Sequence, residues 1–256
     1  MQSWARSALS IAGFFCLWEI VARSGLVSAE YFPSPGVILT TIVSETRRGE
    51  LPHALAATFA RALAGASVGS ALALIVALFT ARYRIAQRAF EPIAEFLRPL
   101  PPAAITPLAI FFLGLGWKLY AFILVFACFW PVYLNAAQAL GATSNVQIET
   151  ARTFGYGRWE TLLRVRLPAA MPIIFTGLRQ AASIALIATI AAEMIAGRDG
   201  LGFYLMDAGM TLRVPETFAG LVAAMLAGLV MSGLVMALRN GALRWHDQMI
   251  EQAEAA

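Results

Sequence analysis

Long apolar runs that carry almost no formal charge constrain this chain more than any other feature. A helix needs roughly 20 apolar residues to cross the hydrocarbon core of a bilayer. Six stretches approach that length, and we predict spans over residues 7–23, 54–80, 95–117, 119–140, 168–195 and 217–238. Charged residues make up only 13% of the 256 residues, against about a quarter in soluble domains. The sequence therefore predicts an all-α integral membrane protein in which residues 1–256 form a single transmembrane domain.

Two of the predicted spans depart from a plain apolar helix. The first is interrupted by Glu19 and has the outline of a signal peptide with a cleavage site at 27–29. We favour a retained span. A signal peptide has a basic N-terminal region, which here contains Arg6 alone, and Trp18 and Glu19 would lie within its apolar region. The third opens on residues 98–102, which include three prolines. Proline has no N–H to donate, so we expect this start to be broken or packed against protein.

The basic residues predict the orientation of the chain. With the N-terminus inside, eleven arginines lie in cytoplasmic segments and six basic residues lie outside. Cytoplasmic loops carry an excess of Lys and Arg, so we predict that both termini are cytoplasmic. The arginines are spread between spans, with no basic helix bearing interleaved aromatics, which argues against nucleic acid as a partner.

Cysteine and histidine give little support for metal or disulfide chemistry. Cys16 and Cys128 both lie in apolar runs, where cysteine is a small buried hydrophobe. His53 and His246 lie far apart, with no Cys or His nearby. We therefore predict no metal site.

The loop between the fourth and fifth predicted spans, residues 141–167, has the pattern of two short helices joined by a turn. Asn145 can cap a first helix that runs to about Phe154, Gly155 can end it, and a second helix fits residues 158–165. Helix-turn-helix loops are common, so this geometry alone identifies no function.

The spacing within this loop resembles the EAA loop of ABC importer permeases. That family pattern is Glu-Ala-Ala, three residues, Gly, nine residues and Ile-x-Leu-Pro. Residues 149–151, Gly155 and residues 165–168 match it here, with Thr150 in place of the second residue and Val165 in place of Ile. Both departures are small changes on a helix face.

The resemblance covers residues 31–245 and points to the taurine, alkanesulfonate and nitrate permease group. It is carried by residues 32–35, 97–102, 176–179 and 200–202. It implies a homodimeric permease of the bacterial inner membrane that forms the path for a small, anionic organic solute by alternating access. It also implies two partners, a cytoplasmic ABC ATPase dimer and a periplasmic or lipid-anchored solute-binding protein.

By the same resemblance, the loop sits in a groove on the ATPase. The residues expected to couple the two proteins are Glu149, Ala151, Phe154, Gly155, Trp159, Leu167 and Pro168. Glycine permits the tight turn without Cβ strain, and large aromatic side chains are enriched at interface hot spots. The alternative is that the aromatics lie in the membrane interface as a belt.

The chain lacks the residues needed to hydrolyse ATP. A P-loop requires Gly-x4-Gly-Lys-Ser/Thr, and the single lysine, Lys118, is followed by Leu119. We therefore expect this chain to bind no cofactor and to leave ATP and Mg²⁺ to its partner ATPase.

Charged residues within or beside spans are candidates for the translocation path, because burying them is costly. They are Arg61, Arg98, Arg179 and Glu193. On an ideal helix Arg179 and Glu193 lie about 40° apart around the axis and about 21 Å apart along it, so they share a face without pairing. One hypothesis is that both line a cavity between two permeases, where Arg179 attracts an anion. The alternative is that Arg179 snorkels or pairs structurally, with Glu193 at the outer interface.

Small residues recur every four positions in the second and sixth predicted spans. The rows are Gly65, Gly69, Ala73 and Ala77, and Gly220, Ala224, Gly228 and Ser232. Such rows let helices approach closely in lipid, so we predict a packing role for both.

Other functions explain less of the sequence. An ion-gradient-driven secondary transporter with Glu193 as its proton site accounts for the missing P-loop, but it leaves the EAA-like loop without a purpose and predicts two related halves that are not evident. A membrane-embedded enzyme needs a nucleophile–base pair or a metal set, and none is found. A receptor or scaffold predicts nothing about the loop. The solute stays open between sulfonates, taurine or nitrate and vitamin precursors such as pyrimidines or riboflavin.

Overall fold

The computed structural model describes residues 2–25, 27–28, 30–244 and 248, and this part of the chain contains helices and no β-strand. The helices are α1 (Gln2–Arg23), α2 (Pro35–Arg48), α3 (Glu50–Arg82), α4 (Arg84–Leu97), α5 (Pro102–Leu113), α6 (Trp117–Gly141), α7 (Asn145–Thr153), α8 (Arg158–Thr161), α9 (Leu167–Ala196), α10 (Leu201–Met210) and α11 (Val214–Ala242). One π-helical turn, Leu162–Arg166, joins α8 to α9. The predicted all-α class is confirmed.

Three long helices, α3, α6 and α9, form the centre of the protein. The side of α3 that faces α6 is lined by small residues. A Cβ added at Gly69 would lie 2.9 Å from the Cβ of Cys128 and 3.0 Å from the carbonyl oxygen of Val125. Ala73 and Ala77 continue this row and are fully buried. The packing role predicted for the small residues of the second span is confirmed, because these side chains set the closest approach of the two helices.

The packing role predicted for the row on α11 is supported at three of its residues. Gly220 is buried against Leu205 and Tyr204, Ala224 packs against a buried cluster, and a Cβ at Gly228 would lie 3.7 Å from Leu186. The most buried alanines of the helix, Ala223 and Ala227, lie one position before Ala224 and Gly228. The helix is apolar on every side, so spacing alone does not mark the face that meets protein.

Four helical segments of the described chain are long and apolar enough to cross a membrane. They are Glu50–Arg82, Trp117–Gly141, Arg158–Ala196 and Val214–Ala242. The fifth predicted span thus belongs to a helix that begins ten residues before Pro168, because the π turn carries the backbone through without a break. The predicted first span coincides with α1, part of whose side chains lie outside the described residues, so the count of six stays a prediction.

The stretch predicted as the third span, residues 95–117, contains the end of α4, a bend and the whole of α5. The axes of α4 and α5 meet at 98°, and counting the pair as one broken span raises the number of spans to five. The 12 residues of α5 extend about 18 Å, short of the roughly 30 Å hydrocarbon core. The broken start expected from the prolines of residues 98–102 is confirmed, and the span boundaries stay a prediction.

Polar residues gather at two opposite ends of the long helices. The first, called the α7 end from here on, comprises residues 79–88 and 140–166. It is held together by the rings of Tyr83 and Trp159, whose centroids lie 6.4 Å apart, and by hydrogen bonds from Arg166. This end collects most arginines of the predicted cytoplasmic loops.

The second, called the α10 end, comprises residues 31–61 and 193–217. Here the Tyr204 hydroxyl donates to the buried Glu45 carboxylate over 3.4 Å, and Arg48 pairs with the same carboxylate at 3.0 Å. Burial and the nearby Glu45 charge raise the pKa of Tyr204 above its ordinary value. The contact ties α10 to the surface helix α2.

Candidate functional site

The loop predicted to couple the chain to an ATPase folds as α7, a turn and α8. Ser144 caps α7, because its hydroxyl oxygen accepts a hydrogen bond from the Gln147 N–H at 3.3 Å. The cap predicted at Asn145 is therefore wrong by one residue. Asn145 is already helical, whereas Ser144 has the extended backbone that suits a capping residue.

Gly155 ends α7 in the left-handed conformation, with φ at 81°. Its N–H donates to the carbonyl of Arg152 over 2.9 Å, and the N–H of Tyr156 donates to the carbonyl of Ala151 over 3.0 Å. A Cβ at Gly155 would meet no atom within 4 Å, so the backbone conformation rather than crowding favours glycine. The turn predicted at this residue is confirmed.

The coupling residues proposed from the sequence divide between the two faces of this loop. Phe154 is 78% exposed and Glu149 also points to solvent, so both are available to a partner. Ala151 is the buried residue of α7. Leu167 and Pro168 are half-buried, and Leu167 packs against the central core.

Trp159 is intermediate in exposure between the solvent-facing and the buried residues of the loop. It is partly exposed, and its ring meets that of Tyr83 edge to face, at 77° between the ring planes, while the Arg82 guanidinium lies 5.6 Å from its centroid. Trp159 therefore joins the loop to the end of α3 as well as presenting an aromatic surface.

Arg166 fastens the loop to the helix bundle. Its Nε and Nη2 donate to the carbonyl oxygen of Leu140 over 3.0 and 2.5 Å, and its Nη1 donates to the carbonyl of Ala81 over 3.3 Å. These carbonyls belong to the last turns of α6 and α3, where a helix lacks internal donors and carries partial negative charge. One cation thus fixes the loop against two helix C-termini.

A buried ion-pair network lies at the α10 end. Glu193 is only 1% exposed. One carboxylate oxygen lies 2.6 Å from Nη1 of Arg61, and the other accepts from the Thr58 hydroxyl at 2.6 Å and from the Gly202 N–H at 3.0 Å. Arg61 also pairs with Asp199 at 2.6 Å through Nη2. Both Glu193 oxygens are therefore bonded within the chain.

The same network positions the start of α10. The N–H of Leu201 donates to the Thr58 hydroxyl over 2.7 Å, so one threonine links Glu193 to the helix N-terminus. Gly200 has φ at 95°, and a Cβ at Gly202 would lie 2.6 Å from the Cβ of Glu193. The two glycines are required because the backbone passes directly over the carboxylate.

The four predicted path residues do not share one site. Arg61 and Glu193 form the ion pair just described, and the Arg61 guanidinium lies 4.9 Å from the Tyr120 ring centroid. Arg98 lies exposed at the corner between α4 and α5, beside a groove of about 380 Å³ that also contains Glu91. Arg179 is exposed on α9 and forms no ion pair within the described part of the chain. Whether any of them contacts solute stays a prediction.

The sequence analysis missed three residues that hold these two clusters together. Thr58 and Asp199 are ordinary in sequence, and only the approach of α3 to residues 199–202 gives them a role. Arg166 had a usable signal, since an arginine at the start of an apolar run must be paired or solvated. Its two carbonyl partners, however, come from distant helices.

Comparison with known proteins gives the family. The model of the binding-protein-dependent transport system inner membrane component matches residues 50–252, most of the chain. The chain belongs to this family. It is therefore a multi-pass inner membrane permease of the ABC transporter class.

Several relatives resemble the permease over nearly its full length. The taurine transport system permease protein TauC of Escherichia coli is 30% identical over 94% of this chain and 89% of its own. The putative aliphatic sulfonates transport permease protein SsuC of Bacillus subtilis is 27% identical over 95% and 88%. The bicarbonate transport system permease protein CmpB of Synechococcus elongatus is 28% identical over 91% and 87%.

Proposed function

We propose that the permease is the membrane-spanning subunit of an ATP-driven importer and that solute crosses by alternating access. Support comes from the coupling loop, whose Phe154 side chain is 78% exposed on a loop fastened by Arg166 to two helix ends. A loop that transmits force between two proteins must be both accessible and rigidly anchored. In this proposal a cytoplasmic ABC ATPase dimer binds and hydrolyses ATP with Mg²⁺ and docks on this loop.

In this proposal the coupling residues have distinct roles. Glu149, Phe154 and Trp159 contact the ATPase, while Gly155 sets the turn that presents them. Ala151, Leu167 and Pro168 lie on the inner side and hold the loop to the bundle. The α7 end faces the cytoplasm in this arrangement, and both termini lie on the same side.

The proposed solute is a small anion delivered by a periplasmic or lipid-anchored binding protein. The relatives are named for aliphatic sulfonates, taurine and bicarbonate, each of which carries an anionic oxygen group. Two permeases form the path as a homodimer. Arg179 and Arg98 are the better candidates for solute contact, because they are exposed, whereas Arg61 and Glu193 are already engaged with each other.

Copurification from the native host tests this proposal. Tagged permease extracted in neutral detergent should bring down a stoichiometric ATPase with measurable ATP hydrolysis. Phe154→Ala should weaken that association roughly 30-fold, the equivalent of losing one interface hot spot of about 2 kcal/mol. Phe111→Ala, which removes an equally exposed phenylalanine on α5, is the matched control and should have no effect.

A backbone change at the turn gives a second readout. Gly155→Pro should abolish transport-coupled ATP hydrolysis while the spans still insert, because proline cannot adopt φ at 81°. Transport at the wild-type rate by this variant contradicts the coupling role. Permease that purifies alone and transports with a proton gradient and no ATP identifies a secondary transporter instead.

A further inference from the structure

A basic cleft lies beside the coupling loop at the α7 end. It has a volume of about 630 Å³ and is bounded by the corner between α3 and α4, by α7 and by α8. Five arginines line it, and the described residues that line it include no carboxylate; the arginines are Arg82, Arg84, Arg152, Arg158 and Arg166. Like charges that line one cleft repel one another, and an anion between them relieves the repulsion, so the cleft is suited to a negatively charged group.

Two of the five arginines, Arg82 and Arg166, are held in place by contacts within the chain. Arg166 is fixed by its bonds to two helix C-termini, and the Arg82 guanidinium lies 4.7 Å from the Tyr83 ring centroid and 5.6 Å from that of Trp159. The Nε of Arg82 is buried and has no acceptor among the described residues. Within the same part of the chain, none of the five arginines pairs with a carboxylate. A buried donor without an acceptor is costly, which favours an external acceptor here.

The position of the cleft favours lipid as the source of that acceptor. Phe79 is exposed on the apolar surface of α3, and its ring lies 4.9 Å from that of Tyr83 at the rim of the cleft. Ile85, which also lines the cleft, is 85% exposed. Tyrosine is enriched where hydrocarbon meets headgroups. An acyl chain along α3 would therefore bring its phosphate to the arginines.

We propose that this cleft binds the phosphate headgroup of an anionic phospholipid. The bidentate geometry of arginine matches phosphate oxygens, and basic pockets at the ends of membrane helices suit such headgroups. Because the cleft borders the coupling loop, bound lipid would brace α8 against the corner between α3 and α4. Lipid composition would then influence how firmly the loop is held.

Lipid titration into the intact transporter tests the proposal. The purified complex in neutral detergent is titrated with phosphatidylglycerol, phosphatidylcholine or inorganic phosphate, with bound lipid counted by native mass spectrometry and Tm recorded. Phosphatidylglycerol should bind and raise Tm, and the other two should have little effect. Arg84→Gln with Arg158→Gln should weaken phosphatidylglycerol binding roughly 30-fold, at about tenfold or less for each exposed arginine.

Matched variants separate charge from fold. Arg84→Lys with Arg158→Lys should retain most of the binding, and Arg198→Gln, an exposed arginine at the α10 end, should leave it unchanged. If the double variant does not purify, Arg84→Gln and Arg158→Gln are measured separately. Unchanged phosphatidylglycerol affinity in the Gln variants overturns the proposal.

Two other results also overturn it. An equal Tm shift from inorganic phosphate assigns the cleft to a free anion rather than to lipid. Loss of the copurifying ATPase with lipid binding unchanged assigns the arginines to the subunit interface.

Discussion

Removal of the Glu193 carboxylate should destabilise the permease far more than removal of the Asp199 carboxylate, although both pair with Arg61 at 2.6 Å. The difference is burial, because the Glu193 side chain is fully buried and the Asp199 side chain is 46% exposed. Breaking a buried pair costs about 3–5 kcal/mol, whereas exposed pairs contribute about 0–1 kcal/mol. Arg61 keeps partial access to solvent, so we expect about 3 kcal/mol for Glu193→Gln and less than about 1 kcal/mol for Asp199→Asn.

Glutamine fills the site of Glu193 without reproducing its bonding. The carboxylate accepts from Arg61, Thr58 and the Gly202 N–H, whereas the amide nitrogen of glutamine can only donate. At least one donor therefore loses its acceptor. The N–H of Gly202 lies at the start of α10, so the loss should loosen that helix before it affects the core.

Unfolding in neutral detergent and amide hydrogen exchange measure the two effects. Glu193→Gln should lower the free energy of unfolding by about 3 kcal/mol. It should also increase amide exchange at residues 201 and 202, while exchange at residues 124–140 of α6 is unchanged. A double-mutant cycle with Arg61→Gln should give a coupling free energy of about 0.5–3 kcal/mol. Equal destabilisation by the Glu193 and Asp199 variants, or unchanged exchange at residues 201 and 202, contradicts this prediction.

Two further predictions concern packing and solute. Gly69→Val should lower the free energy of unfolding by roughly 1–3 kcal/mol, because the new side chain would be forced against Cys128 and α6. Gly233→Val is the control, since a Cβ there meets nothing within 4 Å. Equal losses of stability in the two variants would argue against the close approach of α3 to α6. Arg179→Gln should lower solute uptake in reconstituted vesicles while ATPase copurification is unchanged. Uptake at normal affinity and rate would remove Arg179 from the path.

The sequence predicted the membrane class and the coupling loop for local reasons. An apolar run long enough to cross the bilayer forms a helix, because only a helix satisfies its backbone hydrogen bonds within the segment. The turn at Gly155 was predictable because a helix end in the left-handed conformation favours glycine. The cap was misplaced by one residue because Ser144 and Asn145 are both good caps, and only the backbone of residue 144 distinguishes them.

Hydropathy also left details of the spans unresolved. The bend of 98° between α4 and α5 was signalled by prolines, but its angle depends on what the two helices pack against. On α11 the most buried residues, Ala223 and Ala227, lie beside the predicted row, because lipid and protein neighbours are equally apolar and hydropathy does not separate the two faces.

Local sequence thus determined where helices form, where one turn ends, and that a protein so poor in charge lies in a membrane. The tertiary structure alone decided the roles of the charged residues. Glu193 and Arg61 are separated by 132 positions, and Arg166 binds carbonyls 26 and 85 positions away. A charge in a low-dielectric interior is stabilised by whichever partner the fold brings near, and no local spacing encodes that partner.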